Sequence, residues 1–122
     1  MFKSSVLAAA VAVMAGQPVA QAPVQTIEMR SFGYAPRTIQ LVAGQPVTLR
    51  FVNRSGDSHD FTARRFFAGA RFVAGAAPDG EIGLKGGQSR SITLIPAAGR
   101  YTVHCGHFLH KQFGMRGEII VR

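Results

Sequence analysis

The chain has 122 residues and a formal net charge of +8, with 14 Lys and Arg against 6 Asp and Glu. This length fits one domain, and a single cysteine excludes an internal disulfide or a metal centre that needs two thiolates. The basic residues are spread along the chain without a run, and no nucleic-acid-binding motif accompanies them. Nucleic acid is therefore not expected as a partner.

The first 22 residues are predicted to form an export signal and a short lead-in, and residues 23–122 the folded domain. Lys3 supplies a positive charge, Val6–Ala15 is apolar, and small residues follow, as in a secretory signal peptide. The apolar run is too short for a transmembrane helix, although an uncleaved anchor remains the alternative, and the cleavage point is left open. We therefore expect a periplasmic or secreted protein without a transmembrane span in its mature form.

The charge and the lone cysteine constrain the partners of this exported domain. Without Lys3, the balance is 13 Lys and Arg against 6 Asp and Glu, a formal charge of +7. Such a balance favours an acidic protein partner, with a generally solvated basic surface as the alternative. A lone thiol in an oxidising compartment is a liability unless a metal holds it. The mature chain is expected to be a monomer.

Short segments with alternating apolar and polar residues, separated by Gly- and Pro-containing turns, predict β-strands along the domain. In chain order the predicted strands are Thr26–Met29, Thr38–Val42, Val47–Val52, a segment that begins at His59, Glu81–Leu84, Ser89–Ile95, Arg100–Cys105 and Gly117–Arg122. Phe32–Pro36 is predicted as a turn. Residues 62–75 are left open between a helical turn and a peripheral strand that covers the core with Phe66, Phe67 and Phe72. Seven or eight strands without a long amphipathic helix predict an all-β fold, an antiparallel β-sandwich.

The residues suited to metal chemistry concentrate in Tyr101–Gly117. This stretch holds the only cysteine, Cys105, and then His110 and Met115, each separated from the previous one by four residues. His59 lies far upstream. Two imidazoles and a thiolate in a plane, with a weak axial thioether, describe a blue-copper site. We therefore predict that His59, Cys105, His110 and Met115 bind one copper ion per chain.

Two further histidines lie close to this predicted site. Strand alternation places the side chain of His104 on the face opposite Cys105, so His104 is not expected to bind the same metal. His107 could replace His110, but the four-residue spacing favours His110. Structural zinc sites take four Cys or His ligands and have no use for a thioether. A cysteine protease would need an activating histidine and an orienting Asn or Asp, which nothing else in the chain supports.

The segment Asn53–Phe61 around His59, and the Cys105, His110 and Met115 spacing, resemble the ligand segments of small bacterial cupredoxins, which are grouped with plastocyanin and azurin. The resemblance covers approximately residues 25–122. It implies a Greek-key strand order and a type 1 copper site. It also implies a non-enzymatic electron carrier that meets its redox partner through apolar surface around His110.

Two other functions remain open beside electron transfer. The first is copper sequestration, resistance or delivery to a copper-exchange partner, for which His104 and His107 would supply additional donors. The second is an enzyme, because the same ligand spacing occurs in multicopper oxidases. A trinuclear oxidase centre, however, needs many more histidines than this chain has. We therefore expect a protein that is not an enzyme.

Asp60 departs from the cupredoxin pattern, which commonly has Asn or another small polar residue directly after the first ligand histidine. A carboxylate there can accept hydrogen bonds from the backbone of the ligand loop, but it cannot donate as an amide does. We expect Asp60 to tie the His59 strand to the Cys105 loop and to favour Cu(II) through its negative charge. In the alternative, Asp60 faces solvent and pairs with Arg54, Arg64 or Arg65.

Overall fold

The computed structural model of the protein describes residues 21–106 and 115–122. These ranges contain ten strands and one short helix, with a 3₁₀ turn at Pro78–Gly80. The elements are β1 (Val24–Arg30), β2 (Gly33–Ala35), β3 (Thr38–Leu41), β4 (Val47–Asn53), β5 (His59–Thr62), α1 (Arg64–Gly69), β6 (Arg71–Ala74), β7 (Glu81–Leu84), β8 (Ser89–Ile95), β9 (Gly99–His104) and β10 (Arg116–Val121). None of the helices in these ranges is long and apolar enough to cross a membrane.

The strands form two five-stranded sheets, ordered β2-β1-β4-β8-β6 and β3-β10-β9-β5-β7. The predicted all-β sandwich is confirmed, but the count of seven or eight strands is too low for the described residues. The predicted antiparallel arrangement holds for the other neighbouring strands, but β1 pairs with β4 and β3 with β10 in parallel. Two parallel neighbouring strands need a crossover connection. Between β1 and β4 the chain makes this crossover by passing through β3, which belongs to the other sheet.

The additional strands come from two segments in which alternation is weak. β2 lies inside the predicted Phe32–Pro36 turn and pairs with β1 over only three residues. The segment left open at residues 62–75 contains both alternatives, because α1 is followed directly by β6. Phe66 and Phe67 are buried, and Phe72 packs against the core, so this segment covers one side of the sandwich as predicted.

An aromatic cluster fixes the strand that carries His59. Phe61 is fully buried, with its ring centroid 4.9 Å from that of Phe51, 5.3 Å from Tyr34 and 6.1 Å from Phe67. The pairs with Tyr34 and Phe67 are edge-to-face, and the pair with Phe51 is tilted. Edge-to-face aromatic pairs contribute about 0.5–1.5 kcal/mol each beyond the burial of their area. The cluster holds β5 against the opposite sheet and thereby sets the position of the residues on either side of Phe61.

Candidate metal centre

His59 is the first residue of β5 and is fully buried, opposite Leu84 of β7. The loop that leads into it is held by the buried amide of Asn53. Asn53 Nδ2 donates to the carbonyl oxygens of Leu84 at 3.0 Å and Asp57 at 2.8 Å. Its Oδ1 accepts from the backbone N–H of Ser55 at 3.0 Å and from the Ser55 hydroxyl at 2.8 Å. The side chain of Asn53, at the end of β4, therefore holds the loop that leads to His59.

Cys105 follows β9 directly, and Met115 directly precedes β10. Because β9 and β10 are antiparallel, the two residues lie side by side, and the Cys105 N–H donates to the Met115 carbonyl oxygen at 3.1 Å. Both side chains are fully buried. The Asp60 N–H lies 3.5 Å from Cys105 Sγ and donates to it, which joins this pair to the strand that begins at His59. Three predicted ligands thus belong to elements that meet at one end of the sandwich.

Asp60 connects β5 to the Cys105 segment. Its Oδ1 accepts hydrogen bonds from the Gly106 N–H at 2.7 Å and from the Thr62 hydroxyl at 2.6 Å, and Cys105 Sγ lies 3.8 Å from its Oδ2. A Cβ on Gly106 would lie 3.2 Å from Oδ2, so the absent side chain permits this close approach. Asp60 is 6% exposed, so the alternative in which its side chain faces solvent is wrong.

Tyr34 holds the backbone of Asp60 in place. The Tyr34 hydroxyl donates to the Asp60 carbonyl oxygen at 2.6 Å. Burial raises the pKa of Tyr34 above its ordinary value, and the nearby charges of Cys105 and Asp60 act in the same direction. Tyr34 therefore stays protonated and remains a donor at any physiological pH.

The remaining predicted site residues are placed less closely or lie outside the described residues. His104 is the last residue of β9, is half-buried, and pairs in register with Arg116 and Thr62. His107 and His110 lie outside the described residues. Within residues 21–106 and 115–122, no three His, Cys, Asp or Glu side chains form a group that could hold a metal ion. The predicted ligand set differs from such a group, because one of its members is the thioether of Met115 and another, His110, lies outside the described residues.

Comparison with known proteins identifies the fold family. A sequence profile of the cupredoxin-like domain matches residues 4–121. The chain belongs to the cupredoxin-like family. No match was found among curated protein sequences.

Three solved structures are similar to this cupredoxin. Dithionite-reduced auracyanin from Roseiflexus castenholzii is 25% identical over 83% of this chain and 99% of its own, with a TM-score of 0.58. Auracyanin A, a blue copper protein from Chloroflexus aurantiacus, is 21% identical over 81% and 99%, with a TM-score of 0.57. A multicopper oxidase from Campylobacter jejuni is 12% identical over 88% of this chain but 31% of its own, with a TM-score of 0.65. The last two likenesses show the fold alone.

The donor set fits copper, the metal that this family implies. The sulfur atoms of Cys105 and Met115 belong to fully buried residues, and His59, also fully buried, supplies an imidazole. Soft thiolate and thioether donors select copper over the hard cations, which prefer oxygen. The nearby carboxylate, Asp60, is already engaged with Gly106 and Thr62. Family and donor chemistry together support the prediction of one copper ion per chain.

Sequence reasoning missed two residues that position this centre, Asn53 and Tyr34. Asn53 was noted only as the start of the segment that leads to His59, although a polar residue that closes an alternating strand is a recognisable sign of a side chain that caps a loop. Nothing in the local sequence marks Tyr34, because its partner Asp60 is 26 residues away.

We expect Asn53→Ala to destabilise the metal-free protein by about 1–3 kcal/mol, because buried polar groups then lose their hydrogen-bond partners. Ser55→Ala is the matched control, since it removes one hydroxyl from the same loop and should cost less. Urea unfolding followed by circular dichroism measures both. Equal losses in the two variants would contradict the role assigned to Asn53.

Proposed function

We propose that this cupredoxin is an electron carrier that binds one type 1 copper through His59, Cys105, His110 and Met115. The bound copper would supply the redox chemistry by alternating between Cu(I) and Cu(II). The observation that carries the proposal is the hydrogen-bonded junction at one end of the sandwich. There the Cys105 backbone bonds to Met115, and the backbone of Asp60, next to His59, bonds to the Cys105 sulfur.

This junction suits electron transfer because it holds the donor residues in one arrangement. Cu(I) and Cu(II) prefer different geometries, so a site that relaxes after each transfer is slow. Here the backbone of Cys105 is fixed to β10, and the adjoining Gly106 N–H is fixed to the Asp60 carboxylate at 2.7 Å. A supporting shell of this kind keeps donor residues in place in both oxidation states.

We further propose that residues 1–22 direct export and that residues 23–122 act as a monomer in the periplasm or outside the cell. The proposal rests on the charge and apolar pattern of the first 22 residues, and on the use of a single cysteine as a metal ligand. Mass spectrometry of the protein recovered from the exported fraction measures the start of the mature chain. Recovery of the intact chain in the membrane fraction would favour the uncleaved anchor.

Burial favours an electron carrier over copper sequestration or delivery. His59, Cys105 and Met115 are all fully buried, whereas a protein that hands its metal to an acceptor needs donors that the acceptor can reach. An enzyme is disfavoured as well. The chain spans less than a third of the multicopper oxidase that it resembles, and its four histidines are too few for a trinuclear centre in addition to the proposed site.

Titration of the mature, metal-free protein with Cu(II) tests the proposed site. We expect an intense thiolate-to-copper absorption band in the visible that stops growing at one equivalent. The same titration with Zn(II), followed by competition with Cu(II), serves as the control for metal preference. Saturation without a visible band, or tighter binding of Zn(II) than of copper, would contradict a type 1 site.

His107→Ala distinguishes a loop residue from a ligand for a second, delivered metal. In the electron-carrier proposal, the variant keeps both the visible band and the stoichiometry of one copper. In the sequestration alternative, the unsubstituted protein binds an additional equivalent that the variant lacks. Isothermal titration calorimetry of the two proteins side by side measures this difference, and an additional equivalent lost in the variant would favour sequestration.

A further inference from the structure

Arginines gather around a cleft on the outer side of the second sheet. Arg64 and Arg65 of α1 and Arg100 of β9 line a cleft of about 190 Å³, and all three are exposed. The other residues that line it are Thr62, Tyr101, Thr102 and His104. Guanidinium groups beside hydroxyl groups form a surface that recognises carboxylates or other oxyanions.

Two further clefts lie beside this one on the same sheet and share lining residues with it or with each other. Thr102 and His104 also line a second cleft with Arg116, and Arg116 lines a third with Arg37. This continuity follows from the register, because His104 of β9 lies opposite Arg116 of β10. We call the exposed residues Arg37, Arg64, Arg65, Arg100 and Arg116 the arginine strip.

The arginine strip carries an excess of positive charge. Among the described residues that line its three clefts, Glu118 is the single carboxylate, and it pairs with Arg100 at 3.6 Å. Arg64 also lines a neighbouring cleft with Asp79 and Glu81. Within its own three clefts, the strip therefore holds five arginines against one carboxylate, which is a local excess of positive charge.

We propose that the arginine strip is the docking surface for an acidic protein partner that exchanges electrons with this cupredoxin. The inference rests on the proposed electron-carrier function and names the surface and the kind of partner. Guanidinium groups bind carboxylates in a bidentate manner, and a surface with excess positive charge accelerates the approach of an acidic protein. The strip runs from Arg37, directly before β3, across β10 and β9 to the two arginines of α1, and neighbouring strands are spaced about 4.8 Å apart. That width suits several carboxylates on a protein surface better than one small anion.

The position of His104 links the strip to the proposed copper site. His104 lines two of the three clefts and is bonded directly to Cys105 through the peptide group. A partner seated on the strip therefore lies one residue from the proposed thiolate ligand. A single electron passes between the partner and the copper site, so that one is oxidised as the other is reduced, and no bond forms or breaks.

Binding of a fluorescent oligoglutamate peptide to the mature, metal-free protein tests the surface without requiring copper. In Arg65→Gln/Arg100→Gln, we expect the dissociation constant to rise by about five- to tenfold. The control Arg50→Gln/Arg90→Gln removes the same charge from exposed positions on β4 and β8, and we expect less than a twofold rise. Equal weakening in both variants would overturn the proposal, because only net charge would then matter.

Backbone amide NMR shifts locate the peptide independently. We expect the largest shifts at Thr62, Arg65, Arg100 and Thr102, and largest shifts on the first sheet would overturn the proposal. Competition by inorganic phosphate at the same concentration as the peptide would instead indicate a small-oxyanion site and would also overturn it. Failure of the metal site is distinguishable, because it would abolish the visible band of the copper-loaded protein and leave peptide binding intact.

Discussion

Cys105→Ala is expected to abolish the visible band of the Cu(II)-loaded protein completely while the sandwich stays folded. The band requires a thiolate bound to Cu(II), and Cys105 is the only cysteine in the chain. The fold should survive because Cys105 lies just beyond the end of β9, outside the aromatic cluster around Phe61. A small void of this kind costs about 1 kcal/mol.

Absorption spectra and circular dichroism of the copper-loaded proteins measure this result, with His104→Ala as the matched control. His104 directly precedes Cys105 but lies on the opposite face of β9, so its removal should leave the band at full strength. A full-strength band in Cys105→Ala, or its loss in His104→Ala, would show that the ligands are assigned wrongly.

Asp60→Asn is expected to raise the reduction potential of the copper site by tens of millivolts while leaving the visible spectrum nearly intact. The carboxylate lies 3.8 Å from Cys105 Sγ in a buried position, where its negative charge favours Cu(II). For one electron, about 59 mV corresponds to about 1.4 kcal/mol. An asparagine Oδ1 can still accept from Gly106 and Thr62, so the connection between β5 and the Cys105 segment survives.

Asp57→Asn is the matched control for Asp60, because it removes a carboxylate from the exposed loop just before His59. Solvent and salt screen that charge, so its removal should shift the potential much less. Asp60→Ala provides a second comparison, since it also removes the acceptor of the Gly106 N–H. Loss of such a supporting partner typically costs about 10–100-fold in metal affinity. An unchanged or lowered potential in Asp60→Asn at neutral pH would contradict the electrostatic role.

Two strands, Glu81–Leu84 and Ser89–Ile95, have the predicted bounds. In the first, exposed and buried positions alternate strictly. The second has three exposed residues followed by three buried ones, so its turn residues and β-branched side chains mark it rather than alternation. β2 was missed because a strand of three residues between Gly33 and Pro36 carries too little pattern. The parallel pairing of β1 with β4 was missed for a different reason. Pairing depends on where the intervening strand packs, which local periodicity does not encode.

Local sequence likewise predicts only part of the candidate centre, and the rest depends on long-range contacts. Cys105 and Met115 could be predicted together because their spacing lies within one short stretch of sequence. The contact between Asn53 and the Leu84 carbonyl spans 31 residues, and that between Asp60 and Gly106 spans 46. Contacts of this kind appear only when the two sheets are assembled. The sequence therefore places Cys105 and Met115 in one stretch, and the structure brings them side by side, but the sequence does not indicate the side chains that hold them in place.

An anaerobic redox titration of the copper-loaded mature protein, followed by visible absorption, tests the electron-carrier proposal most directly. The proposal predicts that the thiolate-to-copper band disappears on addition of one electron per chain and returns fully on reoxidation, with copper retained throughout. A band that fails to return, or copper released from the protein on reduction, would contradict it.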